Sequence, residues 1–314
     1  MADHRALIEA RIAEWCAALP SDGLYAPMAY LMGLPAKRVR PALVLMGCEL
    51  FGGKAADALD EAVGIELFHN FTLMHDDIMD AAPLRRGQPT VHEKWGVDTG
   101  ILSGDAMLVK AYQLMAKRSD VLDLFSRYAL QVCEGQQRDM EFEQRDEVSI
   151  VEYLQMIRLK TAVLLSCALQ VGATVAGASA ADRERIGSFG EHLGLAFQLR
   201  DDLLDTFGDT AATGKLQGGD LRAGKKTFLL IRGLERAGEE SSGVLREELA
   251  KPADTRDVSR MRDAIEQLGV RAEAEAEVVK HDRAAGDALG AIAVPDERKQ
   301  PLRALATMLL DRAH

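Results

Sequence analysis

The strongest chemical signal in the chain is a repeated group of aspartates. The sequence DDIMD occupies positions 76–80, and DDLLD occupies positions 201–205, about 125 residues later. In a helix, the first and last aspartates of such a group lie four residues apart and share a face. Like charges on one face are unfavourable without a cation, and oxygen ligands without His or Cys partners favour a hard ion such as Mg²⁺. Because Mg²⁺ typically keeps waters and substrate phosphates among its ligands, the repeat predicts chemistry on a phosphorylated substrate.

Both aspartate groups lie in helical patterns whose other faces are apolar. His69 precedes Asp76 by seven residues and points within about 20° of it on an ideal helix. Gln198 lies three residues before Asp201. A polar stripe on an apolar helix is typical of a lined cavity. A single DDxxD is as often a solvated helix face, but two copies favour a binding site.

Basic residues flank the first aspartate group. Lys37, Arg38 and Arg40 precede it in the chain, and Arg85-Arg86 follows it directly in a loop after a proline. Guanidinium groups bind terminal phosphates through two parallel hydrogen bonds. Their placement therefore suits an anionic substrate whose other phosphates reach the aspartates through Mg²⁺.

A glycine-rich loop follows the second aspartate group. Residues 208–224 contain five glycines and Lys215, and the chain continues into Lys225-Lys226-Thr227. Such a loop is suited to closing over phosphates. Residues 219–226 also fit GxxxxGK, but the eighth position is Lys226 instead of Ser or Thr and no hydrophobic strand precedes the loop. A P-loop nucleotide site is therefore not expected.

The composition excludes several other classes. The chain has 314 residues, 47% of them hydrophobic, and a formal net charge of −11. It can bury a sizeable core but lacks the positive surface of a general nucleic-acid binder. No CxxC pair occurs among Cys16, Cys48, Cys133 and Cys167, which predicts reduced core thiols in a cytoplasmic protein without a signal peptide. The uncharged stretch 161–181 could span a bilayer by length, but its Ala, Gly, Ser and Thr content favours a buried helix, so no stable membrane insertion is expected.

Helical periodicity runs through almost the whole chain, and strand patterns are nearly absent. No composition shift or low-complexity tract divides the sequence, so we predict an all-α protein made of one large domain, residues 1–314. The predicted helices are residues 5–19, 25–33, 38–52, 55–80, 99–118, 120–144, 149–177, 182–206, 226–238, 241–250, 257–287 and 298–312.

These motifs together resemble the polyprenyl synthetase family, the trans-isoprenyl diphosphate synthases, over most of the chain. The likeness is carried by the aspartate motifs within residues 69–80 and 197–205 and by the Arg-Arg-Gly extension within residues 84–92. Further matching segments follow in the family's order: Leu102-Ser-Gly-Asp105, Glu134-Gly-Gln136, Lys160-Thr161 and residues 219–227.

The resemblance implies a fold, a reaction and partners. The fold is a large helical bundle around a central cavity, the isoprenoid synthase type I fold. The reaction is a head-to-tail condensation in which isopentenyl diphosphate attacks an allylic carbocation formed from dimethylallyl, geranyl or farnesyl diphosphate. The cofactor is Mg²⁺, about three ions with substrate bound. The resemblance also implies a homodimer.

The resemblance further implies roles for single residues. Mg²⁺ would be held by Asp76, Asp80 and Asp201, with Asp77, Asp202 and Asp205 tuning the site or binding through water. The allylic diphosphate would be held by Arg85, Lys160, Thr161, Gln198, Lys215 and Lys225. Isopentenyl diphosphate would be held by Lys37, Arg40, His69 and Arg86. The expected catalytic residues are Asp76, Asp77, Asp80, Asp201, Asp202, Arg85, Lys160 and Lys215.

Product length in this family depends on a bulky residue about five positions before the first aspartate. Here that residue is Phe71, with Thr72 next to it and Phe68 one turn deeper. A single aromatic residue at this place, without an insertion in DDIMD, resembles enzymes that make geranylgeranyl diphosphate, followed by those that make farnesyl diphosphate. On an ideal helix Phe71 lies off the aspartate stripe, so its role as a pocket floor is implied by the family. The alternative is that Phe68 and Phe71 are only core aromatics.

One departure from the family pattern and two other functions bear on this interpretation. The family usually has Gly-Gly before its lysine, whereas Pro35-Ala36 precedes Lys37 here, which stiffens the loop. A terpene cyclase of the same fold is one alternative function, although cyclases usually lack the second DDxxD. A non-catalytic regulatory subunit is the other, although such subunits lose aspartates that this chain retains.

Overall fold

The computed structural model describes residues 2–208, 217–236 and 240–311. Within these residues the only strands form one short hairpin, β1 (Leu84–Arg85) and β2 (Gln88–Pro89), and helices make up nearly all other regular structure. The prediction of an all-α protein is therefore confirmed.

The α-helices are named here in chain order. They are α1 (Ala2–Ala17), α2 (Ala26–Gly33), α3 (Val39–Leu50), α4 (Leu59–Met79), α5 (Val91–Trp95), α6 (Val97–Met115), α7 (Ser119–Glu143), α8 (Ile150–Ile157), α9 (Val163–Val175), α10 (Ala180–Phe207), α11 (Gly219–Ala223), α12 (Phe228–Glu235), α13 (Glu240–Leu249), α14 (Val258–Gln267), α15 (Val270–Gly290) and α16 (Asp296–Leu310). A π-helical turn, Arg158–Ala162, joins α8 to α9, and 3₁₀ turns occur at Ala55–Ala58 and Ala253–Thr255.

The chain divides into two compact units. The first consists of Met1–Ala129, Cys167–Gly187 and Ala293–Pro301, and the second of Leu130–Ser166, Ser188–Ile292 and Leu302–His314. In the first unit α4 packs against α3 and α6. In the second unit α12 packs against α8, α13, α14 and α15. Each unit carries one of the two aspartate groups.

Two predicted helices are interrupted in the structure. The pattern over 257–287 predicts one helix, but the chain forms α14 and α15 because Gly269, at φ +72, ends the first. Glycine adopts this left-handed conformation at no steric cost, and helices commonly end there. The pattern over 149–177 contains the π-helical turn Arg158–Ala162, whose extra residue leaves no clear trace in the hydrophobic period.

The apolar stretch of the chain is a buried helix, as predicted. Among the described residues, Ile150–Val175 is long and apolar enough to cross a membrane, but 83% of its most apolar window is buried inside the protein. The prediction that all cysteines are core thiols is correct for Cys48 and Cys167 and wrong for Cys133, which is exposed on α7. An amphipathic helix has one solvated face, and cysteine is small enough to lie on it.

Candidate active site

The first aspartate group lies at the C-terminal end of α4. Asp76 is half-buried, Asp77 is buried and Asp80 is exposed as the residue that ends the helix. The Asp80 backbone N–H donates to the Asp76 carbonyl at 2.9 Å, so the two carboxylates follow each other along one face. The C-terminal end of a helix carries partial negative charge, which adds to that of the aspartates. The negative charge at this end of α4 therefore favours the binding of a cation.

Asp77 is bound by Arg85 through the hairpin that follows α4. The Arg85 Nε donates to both Asp77 oxygens at 2.8 Å, and Nη2 lies 2.7 Å from Oδ1. Arg86 and Gly87 form the two-residue hairpin loop, both with positive φ, as hairpin turns of this length favour. The hairpin thus brings Arg85 back onto the aspartates, while Arg86 lies at its tip.

Arg40, His69 and Arg86 form a cationic cluster in the same unit. The Arg40 Nη1 lies 3.1 Å from the His69 Nε2. Burial lowers the pKa of His69 well below its usual value, and the nearby charges of Arg40 and Arg86 lower it further. The imidazole is therefore neutral and accepts from Arg40. Burial, together with Arg86, also lowers the pKa of Arg40 to about 10, and the Arg40 Nε is buried without an acceptor among the described residues. A cluster of this kind is suited to binding an anion.

The second aspartate group lies near the C-terminal end of α10. Asp201 is exposed, Asp202 is buried and Asp205 is half-buried. The Asp205 carboxylate accepts from the Asp220 backbone N–H at 3.0 Å, and its carbonyl accepts from Gly218 at 2.7 Å. Asp205 thereby anchors the start of the short helix α11. Of the two lysines predicted beyond this group, Lys225 is exposed after α11, and Lys215 lies outside the described residues.

Asp202 belongs to a buried network that continues to Thr161. The Tyr153 hydroxyl and the Gln198 side-chain amide both donate to its carboxylate, the latter at 3.1 Å. Burial, opposed by the two hydrogen bonds and assisted by the charge of Asp220, raises the pKa of Asp202 to about 7. The Gln198 oxygen in turn accepts from the Thr161 hydroxyl at 3.1 Å. Two predicted substrate residues, Thr161 and Gln198, are thus held together.

Lys160 and Thr161 lie in the π-helical turn between α8 and α9. The Lys160 ammonium donates to Asp139 at 2.6 Å. Gly135 approaches the turn so closely that a Cβ there would lie 2.3 Å from the Lys160 backbone nitrogen. Gly194 approaches the end of the turn, where its Cβ would lie 2.5 Å from the Ala162 Cα. π-helical turns are rare and are frequent at functional sites, and this one is closely packed against two glycines.

Aromatic rings line the middle of α4. Phe71 and the fully buried Phe68 have ring centroids 5.6 Å apart, and Phe68 lies 5.2 Å from Phe125 of α7. The Phe71 ring also packs edge-on against His75 at 4.8 Å. Thr72, half-buried, donates its hydroxyl to the His69 carbonyl at 2.8 Å.

The sequence pattern did not reveal several residues that hold these side chains. Tyr153 and Asp139 bond to predicted site residues but belong to no recognisable motif, and Asp220, which lies in the matching segment 219–227, was given no role of its own. Lys37 is exposed in the loop before α3, whereas its neighbour Arg38 is buried. The only sequence signal for Tyr153 is a polar group within an apolar helical run, and it is too weak to assign a partner.

Comparisons with known proteins agree on one family. The sequence model of the polyprenyl synthetase family matches residues 21–268. The short chain isoprenyl diphosphate synthase of Methanothermobacter thermautotrophicus is 35% identical over 317 residues, which cover 98% of this chain and 96% of that protein. The geranylgeranyl diphosphate synthase of Sulfolobus acidocaldarius is 39% identical over 257 residues, covering 79% of this chain and 78% of that protein. A crystal structure of a geranylgeranyl pyrophosphate synthase is similar with a TM-score of 0.93 and 42% identity, covering 99% of this chain and 98% of that chain.

Proposed function

Because this chain belongs to the polyprenyl synthetase family, we propose that it is a short-chain trans-prenyltransferase that joins isopentenyl diphosphate head-to-tail to an allylic diphosphate. The observation that carries the proposal is the layout of α4. Asp76 and His69 are seven residues apart on this helix, about 10 Å along its axis. One helix thus presents a carboxylate pair for a metal-bound diphosphate and, two turns away, part of a cationic cluster for a diphosphate bound without metal.

The carboxylates fit Mg²⁺ by the chemistry of their donors. Asp76 and Asp80 offer only oxygen ligands, and in the parts of the chain that the structure describes no three His, Cys, Asp or Glu groups converge on a metal position. This arrangement suits an ion that completes its shell with waters and substrate phosphates. When bound, Mg²⁺ supplies the positive charge that stabilises the departing diphosphate. We propose that Asp76, Asp80 and Asp201 hold it, with Asp77, Asp202 and Asp205 in supporting roles.

We assign a second set of residues to the allylic diphosphate. Lys160 offers an ammonium group that donates to Asp139. Asp202 accepts from Gln198, which accepts in turn from Thr161, so these two side chains are oriented together. Lys225, Lys215 and Arg85 complete this assignment. Arg85 contacts Asp77 through Nε and Nη2 and retains further N–H donors for phosphate oxygens. The positive charges of Arg85 and of the three lysines favour cleavage of the bond between the allylic carbon and the diphosphate oxygen, because negative charge develops there.

Isopentenyl diphosphate is assigned to Lys37, Arg40, His69 and Arg86. The neutral His69 keeps the Arg40 guanidinium oriented without cancelling its charge. The bound substrate presents its double bond to the allylic cation, a new carbon–carbon bond forms, and a proton leaves to regenerate an allylic diphosphate. Exclusion of water from the site would protect the cation during this step.

We assign geranylgeranyl diphosphate as the main product, followed by farnesyl diphosphate. Phe71 and Phe68 support this assignment because their rings, which pack against each other at a tilt, would limit the length of a chain that grows along α4. The names of the compared relatives also favour it, since both a sequence relative and a solved structure are geranylgeranyl diphosphate synthases.

We propose a homodimer, with the outer face of α6 as part of its interface. Val97, Ile101, Leu102 and Val109 are exposed on this helix. Contiguous apolar surface on a folded protein commonly marks an interaction site. Leu102→Glu should therefore shift the molar mass measured by light scattering from two chains towards one.

A cytoplasmic location is also proposed, supported by the burial of the helix that is long enough to span a membrane.

A primer assay tests the proposed activity. The purified protein is incubated with Mg²⁺, isopentenyl diphosphate and one of dimethylallyl, geranyl or farnesyl diphosphate, and the products are separated by chromatography after dephosphorylation. Elongation of at least one primer is expected. No elongation of any primer by a folded protein would refute the assignment, and cyclic hydrocarbon products would indicate a terpene cyclase instead.

A further inference from the structure

Arg38 is a buried arginine that belongs to neither aspartate group nor to the cationic cluster. It is 2% exposed, and its backbone has φ 51, the left-handed conformation that residues with a Cβ seldom adopt. It is also the residue directly before α3, between Lys37 and Arg40. Its conformation therefore sets the direction of the chain between Lys37, in the loop after α2, and Arg40, in the first turn of α3.

The Arg38 guanidinium holds the start of α3 to three other elements. Its Nε donates to Glu9 of α1 at 3.0 Å, and its Nη1 donates to Glu66 of α4 at 2.6 Å. Its Nη2 donates to the carbonyls of Met32 and Leu34, at the C-terminal end of α2. These bonds oppose the backbone strain of the left-handed turn, which is about 1–2 kcal/mol for a residue with a Cβ.

Glu66 is a buried carboxylate whose charge reaches the cationic cluster. It is 2% exposed and also accepts from the Asn70 side-chain amide at 3.1 Å. Its charge acts on Arg40 and on Arg86 and opposes the lowering of their pKa values by burial. A buried carboxylate that loses its partner is costly, and it would bind to whichever cations remain nearby. Without Arg38, those cations are Arg40 and Arg86.

A charge count shows what Arg38 contributes to the cluster. Arg38, Arg40 and Arg86 bring three positive charges against the two carboxylates that bind Arg38, the buried Glu66 and the half-buried Glu9, an excess of one. Loss of Arg38 leaves no excess. A diphosphate bound without metal depends directly on this excess.

We propose that Arg38 is a positioning residue for isopentenyl diphosphate: by binding Glu66 and the end of α2 it keeps Arg40 and Arg86 charged, oriented and available. This inference rests on the proposed function of the cluster. It assigns Arg38 no contact with substrate. Loss of Arg38 should therefore affect the binding of only one of the two substrates, whereas loss of a purely structural residue would affect both.

The experiment compares single and double variants. Arg38→Gln is expected to raise the KM and the calorimetric Kd for isopentenyl diphosphate about tenfold and to leave the KM for the allylic diphosphate within about twofold. Arg38→Gln combined with Glu66→Gln removes both charges and is expected to return the KM and Kd to within about threefold of the original protein. Arg38→Gly keeps the left-handed turn at no steric cost and should behave like Arg38→Gln.

Arg118→Gln is the matched control. Arg118 lies 3.4 Å from Glu61, another buried carboxylate on α4, at the opposite end of the helix from the aspartates. This variant is expected to leave both KM values within about twofold. If Arg38→Gln does not fold in a thermal-unfolding check, the double variant and Arg38→Lys, which retains the charge, provide the comparison with the original protein.

Three results would overturn the inference. They are an unchanged Kd for isopentenyl diphosphate in folded Arg38→Gln, a double variant no better than the single one, and Arg38→Gly that binds as well as the original protein. If the original protein itself binds no isopentenyl diphosphate, the proposed function fails instead.

Discussion

Replacing Gly135 by alanine should lower turnover about a hundredfold, because it displaces the π-helical turn that carries Lys160. A Cβ at position 135 would lie 2.3 Å from the Lys160 nitrogen and 2.6 Å from the Leu159 carbonyl carbon, whereas ordinary contacts begin at 3.4 Å. The backbone of the turn must therefore move by about 1 Å, since neither contact involves a flexible side-chain end. A misplacement of this size in a catalytic group costs about 10²-fold in rate.

The assay is steady-state turnover with isopentenyl diphosphate, an allylic diphosphate and Mg²⁺, at a temperature well below unfolding. Overpacking lowers stability by about 1–3 kcal/mol, so each variant is first checked by circular dichroism and thermal unfolding. Gly194→Ala, whose Cβ would lie 2.5 Å from the Ala162 Cα, should act in the same direction.

Gly286→Ala is the matched control for this prediction. Gly286 lies within α15, and a Cβ there would meet nothing within 4 Å. Alanine in a helix is more favourable than glycine, so stability should stay the same or rise, with unchanged turnover. A folded Gly135→Ala protein with turnover within about twofold of the original would refute the reasoning, because the turn would then tolerate the displacement.

The remaining predictions concern product length, metal and pH. Phe71→Ala, and more so Phe71→Ala with Phe68→Ala, should lengthen the main product because the packed aromatic rings are removed. Chromatography that finds the same chain length would contradict a role as pocket floor. Asp76→Ala and Asp201→Ala should each lower turnover by about 10²-fold or more without loss of helical circular dichroism. Calorimetry should find much weaker binding of the allylic diphosphate in EDTA than in Mg²⁺. Equal affinity under the two conditions would exclude the metal role. The pKa of His69 is lowered in the folded state. Below the ordinary histidine pKa of about 6.5, the unfolded state therefore binds a proton at His69 that the folded state does not bind. The free energy of unfolding should decrease as the pH falls below that value, by at most about 1.4 kcal/mol per pH unit. Denaturant unfolding at pH 7.5 and 5.5 measures this, and His69→Gln should reduce the difference; an unchanged difference would show that His69 does not titrate on unfolding.

Much of the candidate site was predictable because its signals are local. The spacing of Asp76 and Asp80 places both on one helical face, and Arg85 follows a proline just after them, so their proximity follows from chain geometry alone. The hairpin that returns Arg85 to Asp77 was not predicted, because two strands of two residues each are too short to alternate visibly.

Other contacts could not be predicted because they join distant parts of the chain. Tyr153 and Asp202 are 49 residues apart, and Arg38 and Glu66 are 28 apart. Nothing in the sequence around Arg38 distinguishes it from Lys37 or Arg40 as the residue that is buried. Gly135 likewise has no local reason to be glycine, since only the approach of the Lys160 backbone excludes a side chain there.

The sequence by itself determined the helical class, the family and the residue types of the two proposed substrate sites. Periodicity and motif spacing act within one helix or loop, where bond geometry alone relates one residue to the next. The tertiary structure decided which of these groups are buried, paired or strained: Arg38 on Glu66, Asp202 under Tyr153, and the π-helical turn against Gly135. Such contacts depend on how several helices pack at once, and packing also determines which charges lose water and must find a partner.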